Sequence, residues 1–192
     1  MYLKKPVYEW YAIYTRVHQE KKIYSILMEQ NIECYLPLIK TLKQWSDRKK
    51  WIEEPLFRCY LFVKVSYVEY FNVLTIPGVV NYVCFGGIAQ KIPVIQIENI
   101  KTLMSQKQED VVLTREDIAK GIKAEVVFGP LKGLKGEIVQ ICGQSHILIR
   151  LQAMNCCIHI KISKDEIKVL SSEKADPPKL NRNGKSVSYV KE

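Results

Sequence analysis

The sequence predicts an α+β chain in two parts: an N-terminal ferredoxin-like α/β sandwich, then a small C-terminal β-barrel. Three observations predict it. Strand-like apolar runs alternate with helix-period segments up to residue 106. Beyond residue 118, five short β-prone runs follow one another with glycine or polar turns between them. Between the two lies an acidic stretch: residues 1–106 carry net charge +5, residues 107–117 carry −2, residues 118–170 carry +4 and the remainder +2.

Taken in order, Trp10 to Thr15 is aromatic and β-branched and reads as a strand. His18 to Gln30 reads as a helix, because Ile23, Ile26 and Leu27 fall at i, i+3, i+4 while His18, Lys22, Ser25 and Glu29 share the other side. Glu33 to Ile39 is a second strand. Residues 40–54 then lose all periodicity and set Lys40, Lys43, Arg48, Lys49 and Lys50 around Trp45 and Trp51, which predicts an exposed basic hairpin or loop. Cys59 to Val65 is nearly all apolar, as a strand covered on both faces would be. Tyr67 to Leu74 is a short helix, Val79 to Phe85 a strand before Gly86-Gly87, and Val94 to Ser105 a helix behind Pro93 with Ile97, Ile100 and Leu103 or Met104 on one face. The order β-α-β-β-α-β-α, with helices on one face of the sheet, gives the sandwich over residues 8–106.

Residues 107–117 read as a polar linker. Glu125–Phe128, Glu137–Cys142, His146–Leu151, Cys157–Ile162 and Ile167–Leu170 are the five strands of a barrel over residues 118–170, expected to tumble free of the first half. From Ser171 to Glu192, Pro177-Pro178 and sparse apolar residues predict a disordered tail.

A net charge of +9 favours polyanionic partners. The six cysteines contain no CxxC pair and the three histidines no metal-ligand spacing, so buried free thiols are expected and neither a metal nor another cofactor. No stretch approaches 18 apolar residues, so neither a membrane span nor a signal peptide is expected; the reading is a cytoplasmic protein. No Ser-His-Asp or Cys-His arrangement, phosphate-binding glycine loop or acidic metal cluster stands out, so the chain does not read as an enzyme.

Ala124 to Val139 contains two strand segments joined by a turn with Gly129, Gly133 and Gly136, and resembles the KOW motif of transcription elongation factors and ribosomal proteins. Upstream stand Trp10-Tyr11, Glu54-Pro-Leu-Phe57 before Tyr60-Leu-Phe-Val63, and Pro77-Gly78-Val79 before Val83-Cys-Phe-Gly86. As an ordered set these resemble the NusG family of transcription elongation factors over residues 9–170, and within it the specialised paralogues of the RfaH type and the antiterminators of polysaccharide operons. One departure is visible: where the family usually has Pro-Gly or Pro-Asn between the Phe and the Tyr, this chain has Arg58-Cys59.

The resemblance implies an NGN domain followed by a KOW domain, in a monomer that suppresses pausing and termination. It implies clamp-helix contacts on the largest RNA polymerase subunit at Tyr14, Phe57, Tyr60, Phe62 and Phe85. It implies contacts to the non-template single-stranded DNA at Arg16, His18, Lys21 and Lys22. The basic hairpin with Lys43, Arg48, Lys49 and Lys50 is a further candidate for DNA or nascent RNA. The KOW domain would recruit ribosomal protein S10 or Rho. The alternative reading is a KOW-type RNA-binding protein of ribosome assembly or translation.

Overall fold

The structure, a computed structural model, describes residues 5–44, 48–106, 111–115 and 118–170. The N-terminal half runs β1 (Glu9–Thr15), α1 (Glu20–Glu29), β2 (Glu33–Tyr35), β3 (Leu38–Gln44), β4 (Lys49–Pro55), β5 (Tyr60–Val65), α2 (Tyr70–Leu74), β6 (Val79–Tyr82), β7 (Cys84–Phe85), β8 (Ile88–Ala89), β9 (Lys91–Ile92) and α3 (Val94–Gln106). Its main sheet is antiparallel in the order β2-β5-β1-β6, with β9 pairing the other end of β1's β6 edge. The expected basic hairpin is present as the β3–β4 ribbon, separate from this sheet, and β7 and β8 form a second, tight hairpin.

Alternation along β1 and β5 sorts their side chains onto two faces. Ile13, Leu61, Val63 and Val65 share one apolar cluster with Ile23 and Leu27 of α1 and Val73 of α2. Trp10, Ala12 and Phe62 share another with Ile97, Ile100 and Leu103 of α3. Helices therefore cover both faces, where a sandwich with helices on one face was expected. The reason lies in β5, whose unbroken apolar run needs cover above and below.

The C-terminal half runs β10 (Val112–Thr114), β11 (Ile122–Val126), β12 (Lys135–Ile141), β13 (Gln144–Leu151), β14 (Cys156–Lys161) and β15 (Ile167–Val169), with one-turn 3-10 segments at Gln152–Met154 and Lys164–Glu166. The strands form one antiparallel sheet in the order β10-β14-β13-β12-β11-β15. Strand β10 falls inside the expected linker. The charges around it mask a short apolar run in which Val111 and Leu113 pack on the core while Val112 to Thr114 pair with β14. The expected tail from Ser171 and the indole of Trp45 lie outside the described residues.

The second sheet does not stand free of the first half, contrary to expectation. The Asn99 side chain, 5% exposed, donates to the Lys135 carbonyl at 2.7 Å and accepts from the Lys135 amide at 3.4 Å. The Gln96 amide donates to the Arg150 carbonyl at 3.1 Å. The apolar cluster beneath α3 also continues into Ile147, Ile149 and Ile158 of the second sheet. Periodicity shows only the apolar face of α3; Gln96 and Asn99 on another face look solvent-directed until the partner backbone is in place.

Candidate functional site

Tyr14 and Tyr60 stand opposite each other at the ends of β1 and β5, with ring centroids 5.4 Å apart. Both belong to the face that α3 covers, yet the cover gives out there. Trp10 and Ala12 are buried, Tyr14 is 42% exposed and Tyr60 half-buried. Phe85 is 81% exposed on the β7–β8 hairpin, opposite the exposed Ile88. Ile88 was not singled out in the sequence, although its position after Gly86-Gly87 and opposite an aromatic is the signal that would have found it.

Phe57 and Phe62 are not in this exposed group. They are 3% and 0% exposed and meet edge to face at 5.5 Å, with Tyr35 stacked on Phe62. A direct contact with a partner is therefore corrected for these two rings: they are core, and act on the surface only by supporting it. Sequence could not separate them from Tyr60, because all three lie in apolar, aromatic surroundings.

The turn at Arg58-Cys59 connects this aromatic end to the start of α1. Cys59 adopts φ +65°, a left-handed conformation that glycine or asparagine takes readily and other side chains at a cost of about 1–2 kcal/mol. The turn is closed by hydrogen bonds at Cys59. It is held by the Cys59 amide, which donates to the buried Glu20 carboxylate at 2.8 Å, and by the Cys59 carbonyl, which accepts from the Thr15 amide at 2.8 Å.

Arg16, His18, Lys21 and Lys22 are all exposed along the segment that enters α1. His18 has φ +61°, and the Arg16 amide is fixed on the Gly78 carbonyl at 2.8 Å. The Lys21 ammonium donates to the Glu53 carbonyl at 2.8 Å, so the entry to α1 is joined to the β3–β4 ribbon. Electrostatics join them again at Glu54. A hydrogen bond from Lys43 holds its carboxyl below the usual range against the opposing effect of burial, with the charges of Lys43, Arg58 and His18 adding to the lowering. On the ribbon, Arg48, Lys49 and Lys50 are exposed, while Lys43 is half-buried and paired with Glu54.

The glycine turn between β11 and β12 uses its glycines in two ways. Gly129 and Gly133 have φ +83° and +88°, whereas Gly136 lies within β12, where a Cβ would come 2.6 Å from the Leu148 carbonyl oxygen. The expectation that all three supply turn angles is therefore met at two, and the third permits close strand approach. Of the cysteines, Cys156 and Cys157 are buried, and burial pushes the Cys156 thiol up to about 12. Cys84 and Cys142 are exposed at hairpin ends, correcting the expectation of uniformly buried thiols. Among the described residues, no group of three or more His, Cys, Asp or Glu is placed to hold a metal ion, and no helix is long and apolar enough to cross a membrane.

The family described as "Transcription termination factor nusG" matches residues 8–104, just over half of the chain. The chain belongs to the NusG family. The match covers the first sheet, its helices, the aromatic end and the ribbon. The NusG-family chain is also similar, at 17% identity, to a chain of the structure "Domain interaction in Thermotoga maritima NusG", covering 86% of this chain and 98% of that one with a TM-score of 0.45. A chain of the MjSpt4:Spt5 complex is 18% identical, with 84% and 98% covered and a TM-score of 0.28. The family assignment rests on the sequence match alone.

Proposed function

We propose that this NusG-family chain is a specialised elongation and antitermination factor that binds RNA polymerase and the non-template DNA strand, making and breaking no covalent bond. The observation that carries the reading is the uncovered aromatic end of the first sheet. Tyr14 and Tyr60 leave rings accessible on a face where Trp10, Ala12 and Phe62 of the same two strands are closed, and Phe85 and Ile88 expose further apolar surface on the separate β7–β8 hairpin. Burying one such ring contributes roughly 1.5–3 kcal/mol, and aromatic side chains are favoured as interface anchors.

The partner for this end is the clamp-helix coiled coil of the largest polymerase subunit. Holding a mobile clamp closed requires only that the factor bind the closed state more tightly than the open one, and a few kcal/mol of difference shifts the pause equilibrium strongly. Arg16, His18, Lys21 and Lys22 then face the exposed non-template strand, where charge holds the phosphates and the His18 ring offers a stacking plane. The second sheet acts as a KOW-type barrel that recruits ribosomal protein S10 or Rho, and the specialised character favours a role against Rho-dependent termination.

The test is polymerase binding by the Tyr14→Ala/Phe85→Ala double variant. Binding is expected to weaken by about 2–4 kcal/mol, each ring contributing at hot-spot scale, with an unchanged melting temperature. A folded double variant that binds polymerase as the wild type does would remove the clamp assignment.

A further inference from the structure

We infer that the outer face of the β3–β4 ribbon is a second contact for single-stranded DNA, with Trp51 as the stacking platform, continuing the track that begins at α1. The inference rests on the reading of the α1 entry as a DNA-facing edge.

The register of the ribbon places Leu42 opposite Trp51, Lys40 opposite Glu53 and Gln44 opposite Lys49. Side chains opposite each other share a face, so Lys40, Leu42, Gln44, Lys49, Trp51 and Glu53 all project from the same side, two cations against one carboxylate. Each of them is exposed, with Trp51 at 58% and Leu42 at 46%. The other side of the ribbon is different: Ile39, Thr41, Lys43, Ile52 and Glu54 are half-buried, and Ile39 packs on the main core. An exposed indole with lysines before and beside it combines the two parts of a single-strand site, an aromatic plane for a base and cations for its phosphates. Lys49 precedes Trp51 by two residues, roughly 7 Å along the strand, so a base on the indole keeps its own phosphate within reach of that ammonium.

Continuity supplies the choice of strand. The Lys21–Glu53 bond ties the ribbon to α1, and His18 and Arg58 both act on the ribbon's Glu54. A strand leaving the α1 entry thus meets the ribbon next.

The experiment measures binding of the full chain to a fluorescein-labelled oligothymidylate of about 15 nucleotides, the size of one site, by anisotropy across a salt series. Trp51→Ala is expected to weaken binding about tenfold at every salt concentration, since stacking releases no counterions, and Trp51→Phe to keep most of the affinity. Lys40→Ala/Lys49→Ala, which removes the two lysines on the face of the indole, is expected to reduce the salt slope by about 1.4, or roughly 0.7 per phosphate contact. Leu42→Ala, which loosens the same cross-strand pair without removing the indole, is expected to bind within about twofold of wild type, the scale of one small cross-strand term. Equal losses from Leu42→Ala and Trp51→Ala would make the indole a brace for the ribbon and overturn the inference. Wild-type binding by Trp51→Ala, with loss in Arg16→Ala/Lys21→Ala/Lys22→Ala, would overturn it while leaving the α1 reading intact. Absence of binding by the wild-type chain at low salt would end both, and a Trp51-dependent preference for oligouridylate would assign the ribbon to RNA instead.

Discussion

The two ends of the face beneath α3 are built from the same residue types and behave differently. At one end Trp10, Ala12 and Phe62 are sealed under Ile97 and Ile100, and Lys101 closes the edge with its ammonium 5.5 Å from the Trp10 ring and 5.4 Å from the Tyr35 ring. At the other end Tyr14 and Tyr60 continue the same alternation on the same two strands, but Tyr14 is exposed and Tyr60 only partly covered by the core it packs on. The proposed binding surface is thus the uncovered end of a core layer. An aromatic residue on this face becomes core or contact according to how far along the strand it lies.

The largest effect expected from this division is at Phe62. Phe62→Ala should cost about 3–5 kcal/mol of stability in urea unfolding, the range for a fully buried ring. Phe85→Ala should change stability by less than about 0.5 kcal/mol, as for an exposed position away from special contacts. Similar losses at both positions would break the division between core and contact.

A smaller effect is expected at Asn99, which sharpens the same comparison by testing whether the second sheet contributes to the covered end. Asn99→Ala leaves both Lys135 backbone groups without their side-chain partner, at about 1–3 kcal/mol if they stay dry. Hydrogen exchange at the Lys135 amide and its neighbours in β12 should accelerate by one to two orders of magnitude, about 1.4 kcal/mol per tenfold. Unchanged exchange would mean that docking on α3 adds nothing to the sealed end.

The smallest effect lies at the open end, and it has the opposite sign. Cys59→Gly should raise stability by about 0.5–1 kcal/mol, the relief of left-handed strain less the added freedom of the unfolded chain. A destabilised Cys59→Gly would show that the thiol packs well enough to offset its backbone strain.

Much of this was legible in the sequence, and the remainder has definite causes. Period alone located α1 and α3, the strand runs were found because their β-branched and aromatic residues cluster, and the loss of period with clustered lysines located the ribbon. The aromatic surface was readable only as a set: Tyr14 and Phe62 obey the same pattern, and their separation depends on where α3 ends. The docking of the second sheet was hidden because Asn99 satisfies a backbone rather than a side chain, which leaves no complementary residue to notice. Strand β10 was hidden by neighbouring charges, although Val111, Val112 and Leu113 were there to be read.

The bond from Lys21 to Glu53 makes that lysine a compound residue. An ammonium has three donors, and the Glu53 carbonyl occupies one, so the same group ties two elements together and still presents charge outward. Replacing Lys21 with alanine therefore deletes a mechanical coupling and an outward-facing charge in one stroke. Its phenotype will exceed what one lost charge explains. Lys22, exposed one position later on α1, is the reference against which that excess can be measured.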